Sequence, residues 1–112
     1  MTASATARIR SARPGRCAKA LAAHFAHSAR TEWDGDSGRG SLVFPAGNVG
    51  EVDMIAGDGV LLLHIESSPE HRDQLEAIVG TGVIDVGGDE DLVVEWKHPG
   101  GGDGSRWVAG QA

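Results

Sequence analysis

His24 and His27 stand three residues apart in an Ala-rich stretch, Arg13 to Ser28, that also holds the chain's only cysteine, Cys17. At that spacing two histidines are neighbours on one helix face and could share a metal ion. Zinc would need two further ligands, which His64, His71 or an acid would have to bring from elsewhere. His71 falls in a first helical turn, where a cation is mildly unfavourable. We therefore read His24 as a histidine at the border of the core and His27 as solvated, with no cofactor. Cys17 has Arg13 and Arg16 beside it, cationic neighbours that favour a thiolate nucleophile. It also lies on an apolar stripe, where a free cysteine packs as a small hydrophobe, and that is our reading.

Arg13 and Arg16, with Arg8 and Arg10, could hold an anion near a helix start. An ordinary solvated basic face is the plainer reading. Asp34, Asp36, Asp89, Glu90 and Asp91 fall in expected turns, where acids are common. No Gly-x-Ser-x-Gly, Cys-x-x-Cys or Gly-x-Gly-x-x-Gly occurs in a usable context. With no catalytic set, the expectation is a protein that is not an enzyme.

These residues need elements to hold them. Pro14 suits a first helical turn, and Cys17, Leu21, Phe25 and Ser28 share one face at 100° per residue, so a helix is expected over 13–28. Before it, Thr6 to Ser11 alternates as a half-buried strand, and Ala29 to Trp33 follows as a second. Asp34 to Gly40 reads as a turn. Leu42 and Phe44 alternate in a third strand ended by Pro45 and Gly47, and Val52, Met54 and Ala56 in a fourth. Asp58-Gly59 is a two-residue hairpin signal that returns the chain through Val60 to Ser67. Ser68-Pro69-Glu70 starts a second helix whose inward stripe is Leu75, Ile78, Val79 and Gly82. Gly80, Gly82, Gly87 and Gly88 should fray its end. Leu92 to Lys97 is the last strand. The order β-α-β-β-β-β-α-β gives an α+β two-layer sandwich, an antiparallel sheet with two helices on one face.

Composition bounds the rest. The 112 residues suit one domain, expected over 1–98. Its 17 glycines, about twice the usual ~7% share, favour short strands and turns. The Gly-rich run after His98 reads as a flexible tail over 99–112. The net charge of −6 is lopsided: residues 1–31 carry six bases and no acid, and all sixteen acids follow. That start could pass for a transit peptide, but its alternation reads as a strand. No apolar run approaches the ~20 residues of a membrane span. One cysteine suits a reducing compartment, so the cytoplasm is expected. Negative charge and few aromatics argue against nucleic acid.

The motif Arg16-Cys17-x-x-x-Leu21-x-x-His24-Phe25-x-His27, followed by Glu32-Trp33, Phe44 and Val94-Glu95-Trp96, resembles the bacterial domain of unknown function 2218 family over residues 5–97. The resemblance implies a TATA-binding-protein-like α+β layer, like the last domain of phosphohexomutases, and no established activity. Relatives linked to siderophore-interacting flavin reductases imply an alternative: an iron-linked, metal-binding accessory protein using His24 and His27. Where relatives have a His-Leu-x-x-x-Phe-like end to the second helix, this chain has Gly82-Val83-Ile84-Asp85-Val86, without a histidine partner for His24.

If Leu61, Leu63 and Ile65 face the helices, Val60, Leu62 and His64 face out, joined by Val43, Ile55 and Val93. Arg8, Arg10, Glu32, Asp53 and Glu95 would ring them. An apolar centre with a charged rim is the anatomy of a protein contact, so a homodimer through the open face is expected of this accessory or interaction module.

Overall fold

The computed structural model describes residues 2–44, 50–87 and 91–108. Pro45 and Gly47, expected to end the third strand, lie outside those residues, as do Gly88, Asp89, Glu90 and positions 109–112 of the expected tail. The chain runs β1 (Ala3–Arg10), α1 (Pro14–His24), β2 (Arg30–Asp34), β3 (Arg39–Phe44), β4 (Gly50–Ala56) and β5 (Val60–Ser67). A 3-10 turn, Pro69–His71, leads into α2 (Arg72–Val86), followed by β6 (Val93–Lys97) and β7 (Asp103–Val108). All seven strands form one antiparallel sheet in the order β2-β3-β4-β5-β1-β6-β7. This is an α+β two-layer fold, with one strand more than the sequence pattern suggests.

Side chains alternate across a sheet, so each ladder row belongs to one face. The inner row Trp33, Gly40, Met54, Leu63, Ala7, Trp96 crosses six strands. Beside it runs Thr31, Leu42, Val52, Ile65, Ala5. The helices cover this side: Leu61, Leu63 and Ile65 are fully buried while Val60, Leu62 and His64 are only partly so. The face assignment made from alternation therefore holds.

Both helices differ from expectation for identifiable reasons. α1 ends at His24, and residues after it turn back through bonds from Ser28 and Ala29 N–H to the Phe25 carbonyl. Phe25 itself is buried, edge-on to Phe44 with centroids 5.5 Å apart. Reaching β2 at Arg30 while burying Phe25 leaves no room for another helical turn, so His27 is not on the helix. α2 in turn is not frayed by its glycines, because packing outweighs their low helix propensity. A Cβ on Gly82 would lie 2.6 Å from Phe25 Cζ, and one on Gly80 2.5 Å from Trp107 Cδ1. Each glycine is the gap into which an aromatic ring seats.

The expected flexible tail is corrected over its described part. Gly100 and Gly101, at φ +87° and +93°, make a tight turn closed by the His98 N–H on the Gly102 carbonyl. β7 then pairs with β6, Val94 opposite Trp107 and Glu95 opposite Arg106. Trp107 packs against the core.

Candidate functional surfaces

Buried polar groups converge at one place, where α2 faces β6 and β7. Glu76 sits in the second turn of α2 and is 1% exposed. Its Oε1 accepts hydrogen bonds from the Ser105 backbone N–H and hydroxyl, each at 2.8 Å. Its Oε2 lies 2.6 Å from His98 Nε2. The Trp96 indole N–H donates to the Glu76 carbonyl at 3.1 Å, and the Trp107 indole N–H to Ser105 Oγ at 2.9 Å. Arg72, one helical turn earlier, brings its Nε to 4.0 Å from Oε2, an electrostatic contact too long for a hydrogen bond. That nitrogen is buried and has no hydrogen-bond acceptor among the described residues.

Ser105, His98 and Glu76 do not form a nucleophile relay, because the hydroxyl is bonded to the carboxylate and not to the imidazole. Asp73, Glu76 and His98 bring one ligand atom each within 4.8 Å of one another. They are the only such group of three among the described residues. A Cβ on Gly104 would lie 2.7 Å from Glu76 Oε1 and 2.8 Å from His98 Nε2, so the β7 backbone closes that side. The arrangement clasps the β6–β7 hairpin to α2.

The residues singled out by sequence are dispersed. His24 lies 4.0 Å from Asp85 on α2, while His27 lies in the turn after α1. Asp85 thus supplies His24 with a charged neighbour that reading for histidines alone overlooked. Cys17, the single cysteine, is buried on the inner stripe of α1. Arg13 precedes α1 and Arg16 is exposed on it.

The open face of the sheet is patterned by charge. One row reads Asp34, Arg39, Ile55, Leu62, Arg8, and Arg10 lies beyond it opposite Val60. The next reads Glu32, Ser41, Asp53, His64, Thr6, Lys97, Asp103, and the next Arg30, Val43, Glu51, Glu66, Ser4. Arg39, Arg8 and Arg10 therefore lie toward one end of the strands, with Asp34 at their edge, and Glu32, Asp53, Glu51 and Glu66 toward the other, with Arg30 at theirs. Arg8, Arg10 and Arg39 make no ion pair among the described residues, and neither do Glu32, Glu51 and Asp53. Ile55, Val60 and Leu62 line a shallow groove beside Arg8. Val43, 40% exposed, and Val93, 37% exposed, lie on β3 and β6, four strand spacings apart, and do not join them.

One antiparallel sheet with two helices on a single face defines a small α+β sandwich protein. Residues 6–97 match the model of a bacterial family described as uncharacterized protein conserved in bacteria (DUF2218), and the chain belongs to that family. The NMR structure of PA4090 from Pseudomonas aeruginosa is similar at a TM-score of 0.60 and 21% identity, covering 85% of this chain and 95% of that one. At that identity the likeness shows the fold alone. A search of the curated proteins finds none that matches. No helix among the described residues is long and apolar enough to cross a membrane.

Proposed function

We propose that this chain is a non-enzymatic cytoplasmic module that works through the open face of its sheet, and that the surface it recognises is a second copy of itself. The observation that carries this reading is the division of the face into an end holding Arg8, Arg10 and Arg39 and an end holding Glu32, Glu51 and Asp53, none of which makes an ion pair among the described residues. A twofold axis lying in the face and running across the strands brings the end of one copy that holds Arg8, Arg10 and Arg39 over the end of the other that holds Glu32, Glu51 and Asp53, twice over. An axis along the strands would set like on like, which electrostatic complementarity opposes. Ile55 and Leu62 then flank the axis and lose water on association, supplying the apolar part. The single cysteine supports a reducing compartment. Size exclusion coupled to light scattering at tens of micromolar tests the dimer. A dimer split by Leu62→Glu with an unchanged melting temperature supports the reading; a wild-type monomer overturns it.

A metal-binding role has one observation behind it, the cluster of Asp73, Glu76 and His98 rather than His24 and His27. A mixed nitrogen and oxygen set suits zinc, iron or manganese. Stoichiometric metal in the purified protein, lost in His98→Ala but kept in His24→Ala/His27→Ala, would establish it, and iron as that metal would support the iron-linked role. Metal-free protein that takes up none on dialysis against zinc or iron(II) ends it.

A further inference from the structure

On the helix side of the sheet, beyond the start of α1, an open groove of about 640 Å³ runs between α1 and the β2–β3 hairpin. Gly15, Arg16 and Lys19 form its α1 wall, and Gly35, Asp36, Ser37 and Gly38 its hairpin wall. Trp33 lies between them. We propose that this groove binds a small planar aromatic anion. It shares none of the open-face charges, so it stands apart from the dimer.

Trp33 carries the argument first. The other two indoles have their N–H groups tied down, Trp96 to Glu76 and Trp107 to Ser105. Trp33 Nε1 makes no hydrogen bond among the described residues, and the ring is only partly buried. The chain nonetheless clears space for it. Its cross-strand partner is Gly40, where a Cβ would come 2.7 Å from Trp33 Cε3, so any larger residue displaces the ring. Gly15 and Gly35 leave the ring's other edges open, with their nearest ring atoms at 4.0 and 3.9 Å from a built Cβ. An indole held in place with an open edge and a free donor offers a stacking surface and a hydrogen bond.

The charges supply the second part. Arg16 and Lys19 lie on one face of α1, and neither makes an ion pair among the described residues. A carboxylate or phosphate between them gains two charge-assisted contacts. The hairpin opposite is closed by local hydrogen bonds. Asp34 Oδ1 accepts from the Asp36 N–H at 3.0 Å, its Oδ2 accepts from the Ser37 hydroxyl at 3.1 Å, and Gly38 turns the chain at φ +69°. That leaves the Asp36 side chain to accept a hydrogen bond from a ligand. The ligand is therefore flat, anionic at one end, and carries a donor such as a hydroxyl at the other.

Titration calorimetry with 4-hydroxybenzoate, and with neutral 4-hydroxybenzamide as comparator, tests the site. Saturable 1:1 binding of the anion with Kd of about 1 mM or tighter is expected, with the amide at least about tenfold weaker. Arg16→Ala/Lys19→Ala should weaken the anion by about tenfold or more without moving the melting temperature, since both side chains are exposed. Gly15→Leu fills the groove without touching a charge and should abolish binding. No saturation by about 10 mM, or affinity unchanged in Arg16→Ala/Lys19→Ala, overturns the proposal.

Discussion

Ser105 on β7 donates both its backbone N–H and its hydroxyl to one oxygen of Glu76 on α2, each at 2.8 Å. A carboxylate removed from water needs such partners, and Glu76 draws all of them from the β6–β7 hairpin. Removing the acid leaves the Ser105 N–H, its hydroxyl and the His98 ring without their acceptor. Glu76→Ala should therefore cost about 3 kcal/mol, the scale of breaking a buried polar cluster from one side. In a domain of this size that lowers the melting temperature by more than ~10 °C. Glu76→Gln keeps one carbonyl acceptor and should lose less. Thermal melts of the two variants check the order.

Cutting the chain after His98 removes Ser105 and Trp107 together. It leaves Glu76 facing solvent on one side and uncovers the α2 surface at Gly80. The shortened chain should melt at least ~10 °C below the full one. A shift of a degree or two would show that β7 contributes nothing to stability.

Two helix glycines should respond to alanine with opposite sign. At Gly15 the added Cβ meets only Trp33 Cζ2 at 4.0 Å, so Ala should stabilise by roughly 0.5–1 kcal/mol through backbone entropy. At Gly80 the same methyl strikes the Trp107 ring at 2.5 Å, and overpacking should cost about 1–3 kcal/mol despite the better helix former. Denaturant midpoints for the pair give the signs directly.

The exposed pair Lys97–Asp103 should matter little. Lys97 sets its Nζ 2.6 Å from Asp103 Oδ1. That hydrogen bond, then the lysine charge, holds the Asp103 carboxyl below its usual 3.8. Lys97 is raised above 10.5 by the same two causes in return. A depressed carboxyl gives its contribution above 3.8 and loses it as pH falls through the lower folded value. The raised ammonium gives its own below 10.5 and loses it as pH rises through the higher one. Water surrounds both groups, so Asp103→Asn should shift the melting temperature only slightly at pH 7. The difference should close in ~1 M salt and again well below pH 3.8. A large shift insensitive to salt would contradict this.

Much of this fold is legible locally. Period-two alternation in Val60 to Ser67 gives the strand and its inner side. Asp58-Gly59 gives the hairpin, with Gly59 at φ +72°. The misses share a cause, contacts distant in sequence. Gly100 and Gly101 look the same in a mobile tail as in a tight turn. What decides between them is Trp107 finding Gly80 and Ser105 finding Glu76, 29 residues away. Glu76 reads as one more surface acid in an early helical turn until its partners arrive from β6 and β7. Gly82 looks like a helix breaker until Phe25 is seen against it.

The division of the open face into opposite charges is tested most directly by mixing two variants. Arg8→Glu/Arg10→Glu turns the arginine end acidic, and Glu51→Lys/Asp53→Lys turns the acid end basic; all four side chains lie on the outer face. Each variant alone should run as a monomer by light scattering at a concentration where the wild type is a dimer. Mixed in equal amounts at low salt, they should recover a species of twice the 11.6 kDa chain mass. A mixture no heavier than its parts, with both variants folded, would contradict recognition of one copy by another through this face.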